Sequence, residues 1–82
     1  MTGPTDPLTA ARAEALFSSD LPTGSTLTRP EAGVAVRRAI RAHGGTRGCA
    51  VVLAVAYGDY PETSVARMRW ALDQIRTCYP RL

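Results

Sequence analysis

Apolar residues recur at three- and four-residue spacing in three stretches of the chain, a continuous apolar run fills another, and the breaks between them carry Gly, Pro and hydroxyl residues. That periodicity predicts helices. In the first stretch Asp6 can cap a helix with Pro7 at its first position, running to Phe17. Leu8, Ala11 and Ala15 share a face, with Leu16 at its margin. So short and weakly amphipathic a helix depends on tertiary packing. Ser18 to Leu27, with Pro22 and Gly24, reads as a loop. Thr28-Arg29-Pro30-Glu31 is a capping box, in which hydroxyl and carboxylate satisfy each other's backbone donors. The helix it opens extends to about His43, with Ala32, Val36, Ala39, Ile40 and His43 on one side and Arg37, Arg38 and Arg41 on the other. Gly44-Gly45 ends it.

In the third stretch Thr46 is a cap candidate, and a helix from Arg47 to Tyr57 stops at Gly58. Val51 to Val55 is compatible with a buried strand as well, since periodicity does not separate the two. Helix is favoured because Ala50, Ala54 and Ala56 are strong helix formers and no second good strand exists to pair with it. Apolar all round, it is expected at the centre of the bundle. Asp59 and Glu62 repeat the capping-box spacing, Pro61 lies in the next first turn, and a fourth helix continues to about Cys78. Its expected inward stripe is Val65, Met68, Leu72, Ile75 and Tyr79, its outer face Thr63, Arg67, Trp70 and Gln74, with Arg69, Asp73 and Arg76 along one flank. The expectation is an all-α, small four-helix bundle in one domain over 7–79, behind a flexible tail at 1–6. Its last two helices form a helix-turn-helix-like pair.

Length and composition narrow this further. A chain of 82 residues buries about 60% of its unfolded surface, so an oligomeric contact would help to stabilise it. The hydrophobic share of 45% is that of a folded chain, and the longest apolar run, Cys49 to Tyr57, is nine residues, too short for a membrane span. The N-terminal residues lack the basic start and apolar core of a secretory signal, so the expected location is cytoplasmic. All ten basic residues are Arg, a bias that a GC-rich genome also produces. Residues 1–28 carry a net charge of −2 and residues 29–82 a net charge of +5, a distribution suited to an anionic partner or to a solvated helix surface. Cys49 and Cys78, with His43 the one histidine, do not make a recognisable zinc site. They read as free thiols, or as a redox pair if their helices meet. His43 reads as a cap charge, Asp59 and Glu62 as caps, and the hydroxyl clusters lack a paired base, so neither an enzyme nor a cofactor is implied.

Residues 58–72, with Arg67-Met68-Arg69-Trp70-Ala71-Leu72 in the second helix and Thr63 near its start, resemble the helix-turn-helix of region-4-like domains of bacterial sigma factors. Ser64 and Trp70 depart from that pattern, standing where apolar and polar residues respectively are usual. The longer span from Arg47-Gly48-Cys49-Ala50 to Arg67-Met68-Arg69-Trp70-Ala71 is similar to a group of short actinobacterial proteins, a resemblance that implies no activity. The first resemblance implies DNA binding. On that reading Arg67 meets a base edge or a phosphate, Thr63 and Ser64 bond phosphates, and Arg37, Arg38 and Arg41 supply contacts that release counterions. The alternative is a protein-interaction module, a homodimer or adaptor, that grips its partner through Trp70 and Gln74 beside the Arg-rich helices. Trp70 decides between them: it is either packed against the segment around Phe17 and Leu21 or exposed as an anchor.

Overall fold

The computed structural model of the protein describes residues 5–80; the first four residues of the expected tail, and Arg81 and Leu82, lie outside that range. It is an all-α, four-helix bundle: α1 Pro7–Phe17, α2 Arg29–Ala42, α3 Thr46–Asp59 and α4 Pro61–Cys78. Among the described residues there is no strand, so Val51 to Val55 is helical.

Local chemistry places most of the boundaries. The Asp6 carboxylate accepts from the Thr9 backbone N–H at 2.8 Å and from its hydroxyl at 2.9 Å, and Pro7 follows at the first helical position. At α2 both halves of the capping box are formed: Thr28 N–H donates to Glu31 Oε1 at 2.8 Å and Glu31 N–H to Thr28 Oγ1 at 3.3 Å. These bonds hold the Glu31 carboxyl below its ordinary pKa, the Thr28 backbone donor contributing most. Because the folded state favours the charged form, the box stabilises α2 fully above the ordinary carboxylate pKa. That contribution is lost as pH falls through the lowered value. An NMR titration is therefore expected to show α2 first-turn amide exchange rising with the Glu31 transition, and Glu31→Gln to flatten that dependence.

At its far end α2 closes with left-handed glycines, Gly44 at φ 76° and Gly45 at φ 111°, and Gly45 N–H reaches back to the Ile40 carbonyl at 2.7 Å. Gly48 then allows α3 to start hard against the His43 carbonyl; a β-carbon there would lie 2.6 Å from the His43 carbonyl carbon.

The centre of the bundle is α1, not α3. Ala13, Ala15, Leu16 and Phe17 are all buried, and both core clusters take residues from α1. Its low amphipathicity, a sign of weakness in isolation, is what a short helix covered on several sides needs, and its alanines let the neighbours approach. Leu8, on the same face as Ala11 and Ala15, is 58% exposed. Conversely α3 fully buries only Cys49. A four-helix domain of this size has room for one covered helix, so an apolar α3 keeps a bare side.

Two further boundaries differ from expectation. Thr46 does not cap α3, whose N-cap is Gly45, and Gly58 lies inside α3 rather than ending it. Asp59 is the last residue of α3 and makes no side-chain cap; α4 starts after Tyr60 alone. The joint between the last two helices is thus a one-residue corner, tighter than the three to four residues of a DNA-binding helix-turn-helix. As a result α4 is turned relative to the expected stripe: Ser64, Trp70, Ala71, Ile75 and Cys78 are buried, and Val65 is exposed.

Candidate functional site

Three of the residues expected on the outer face of α4, Arg67, Trp70 and Gln74, form with Cys78 a stripe that binds the end of α1 and the chain's own α1–α2 loop. Arg67, Trp70, Gln74 and Cys78 succeed one another at three- and four-residue spacing, so they lie along one side of α4. Arg67 takes the C-terminal end of α1: Nε donates to the Phe17 carbonyl at 2.7 Å, one terminal nitrogen to the Ser19 carbonyl at 2.9 Å, and the other to the Thr23 hydroxyl at 2.9 Å. Trp70 Nε1 donates to the Ser25 carbonyl at 2.8 Å, Gln74 Oε1 accepts from Leu27 N–H at 2.8 Å, and the Cys78 thiol donates to the Leu27 carbonyl at 3.5 Å. Loop and helix therefore run in the same direction, backbone groups of Phe17, Ser19, Ser25 and Leu27 meeting α4 side chains in order.

The Arg67 guanidinium also lies 4.9 Å from the Trp70 ring centre and 5.7 Å from that of Phe17. A forked, weakly hydrated cation suits the end of α1, where carbonyls lack helical partners and the helix dipole is negative. Burial lowers its pKa, yet arginine stays charged throughout the physiological range.

Four of the expected site residues are buried or engaged within the chain. Arg67 is engaged with the end of α1 and with Thr23 of the loop. Ser64 is buried, because the tight corner at Tyr60 turns it toward the core. Trp70 takes the packed one of its two expected placements, in the core cluster with Phe17 and with Leu21 beside it, its N–H satisfied by the Ser25 carbonyl. Gln74 is half-buried and holds Leu27. The others are at the surface: Thr63 on the first turn of α4, and Arg37, Arg38 and Arg41 together on the outer side of α2. Arg12 and Arg29 both stack on Tyr79, at 3.9 and 4.7 Å from its centre.

Comparison with family models, curated proteins and solved structures gives no match.

Two other surfaces have a shape that a partner could use. A groove of about 450 Å³ lies between the α1–α2 loop and α2, lined among others by Leu21, Leu27, Val34, Ala35, Arg38 and His43. Its floor is apolar, and the His43 ring is fixed by a 3.0 Å contact between Nε2 and the Ser18 carbonyl. The second surface is the outer side of α3, where Ala50, Val51, Ala54, Val55 and Gly58 are all exposed, Val51 at 58% and Val55 at 57%. From Gly48 to Gly58 there is no charged side chain. The sequence signals this face, since a helix apolar on every side in a chain this short must leave part of itself uncovered.

Cys49 and Cys78 are buried free thiols. Among the described residues no group of three or more His, Cys, Asp or Glu is placed to hold a metal ion, and no helix is long and apolar enough to cross a membrane.

Proposed function

We propose that the protein is a small protein-interaction module whose docking surface is the outer face of α3. What supports this reading is the bare apolar side of α3: two valines more than half exposed, set among small residues on a rigid helix. Apolar helix faces of this kind bind partners through area removed from water. Of the α4 residues expected at DNA, Arg67 is bonded to the end of α1 and the α1–α2 loop and Ser64 is buried, which leaves Thr63 at the surface. A photoreactive amino acid at position 55, irradiated in the producing cell, is expected to give a discrete protein adduct, while the same group at the exposed α4 position 77 gives none. No adduct from position 55, or the same adducts from both positions, would reject the reading.

Binding to duplex DNA is a second reading, favoured by the exposed Arg37, Arg38 and Arg41 and by Thr63 on the first turn of α4. Three phosphate contacts predict a fall in affinity of about fortyfold between 50 and 200 mM salt. Fluorescence anisotropy with a random-sequence duplex measures this; no binding at the lower salt eliminates DNA as the partner.

A further inference from the structure

We propose that the partner of the α3 face is α3 of a second copy of this chain, packed antiparallel about a two-fold axis that crosses the exposed face at the level of residue 53. The inference rests on the reading of α3 as a docking surface and names its occupant. In an antiparallel pair centred on residue 53, position 51 meets position 55 of the other copy and position 47 meets position 59. Thus Val51 packs on Val55 at two equivalent places, and Arg47 faces Asp59 at both ends of the seam. Valine lies opposite valine and cation opposite anion, as an isologous contact requires.

The placement of charge argues for the second copy independently of the apolar area. Arg47 lies in the first turn of α3, beside the positive end of its own helix dipole, where a cation is disfavoured. Asp59 lies at the last position of α3, beside the negative end. An antiparallel neighbour reverses both relations: Arg47 then lies beside the C-terminal end of the other α3, and Asp59 beside its N-terminal end. Neither side chain has a hydrogen bond or salt bridge among the described residues, so both are free to pair across the seam. Ala50, Ala54 and Gly58, spaced by four and exposed, allow the two axes to come within about 8 Å.

A seam of this length, about 20 Å for 14 residues, is at the small end of specific interfaces, so the dimer should dissociate in the range of about 10–100 μM. Sedimentation equilibrium from 5 to 500 μM protein tests it. The wild type is expected to pass from monomer to dimer across that range, and Val55→Glu to remain monomeric. Arg47→Glu and Asp59→Arg should each weaken dimerisation about tenfold, and the two together in one chain should restore it to within about threefold of wild type, because each new pair is again opposite in sign. A wild type that stays monomeric at 500 μM, a Val55→Glu variant that still dimerises, or a double variant as weak as either single one would overturn the proposal. All the altered positions are exposed, and the wild-type series does not depend on any variant folding. A monomeric wild type with a position-55 adduct to a different protein would overturn the self-pairing alone; absence of any adduct would remove the docking surface itself.

Discussion

Arg67→Ala is expected to lower stability by about 3 kcal/mol, because it leaves the Phe17 and Ser19 carbonyls without their charged donor and removes the cation between the Phe17 and Trp70 rings. For a domain of this size that corresponds to a fall in Tm of about 12–24 °C. Arg67→Lys should recover less than half of the loss, since one ammonium cannot reach three acceptors in a fixed fork. Urea and thermal unfolding followed by circular dichroism measure both. Within the same experiment Trp70 fluorescence should report loosening of the loop, because the indole N–H is bonded to Ser25, the next point along the stripe. A solvated Arg67 that contacts DNA predicts the opposite pattern: unchanged unfolding with weakened binding.

The second large effect is at Gly48, where Gly48→Ala is expected to destabilise by about 3 kcal/mol. In a helix, alanine in place of glycine ordinarily adds up to about 1 kcal/mol of stability. Here the added β-carbon would come within 2.6 Å of the His43 carbonyl carbon and 3.3 Å of its β-carbon, so the backbone at the α2–α3 turn must move. That shift also loosens His43 from Ser18, and with it the packing of α2 against the end of α1. Gly58 supplies the control. It lies in α3, and a β-carbon added there would meet nothing within 4 Å, so Gly58→Ala in dilute protein should stabilise by about 0.5 kcal/mol. Paired urea titrations of the two variants should therefore shift in opposite directions.

The bundle class, the four helices and the caps at Asp6 and Thr28 are legible in the sequence because each depends on residues within one turn of itself. The central position of α1 is not. A one-sided apolar stripe marks a helix with one wet side, whereas α1 is short, alanine-rich and covered on several sides. The α3–α4 corner escapes the sequence for a related reason: Gly58 is free to end a helix, but α3 keeps its hydrogen bonds until Tyr60, whose N–H still donates to the Ala56 carbonyl at 2.7 Å. With α4 starting after Tyr60, its buried side includes Trp70 and leaves Val65 outside. The alignment of Arg67, Trp70 and Gln74 is visible in the sequence. Its partner is not, because backbone carbonyls and N–H groups of a loop 45 to 50 residues away carry no sequence signature.

The cation that the sequence offers to an outside partner ties α4 to the end of α1. The Arg67 Nε–H resonance tests this directly. With its donor held by the Phe17 carbonyl and the Trp70 ring alongside, that proton should give a resolved NMR signal that exchanges with water far more slowly than those of Arg37, Arg38 and Arg41. An Arg67 Nε–H that exchanges as fast as theirs would contradict it.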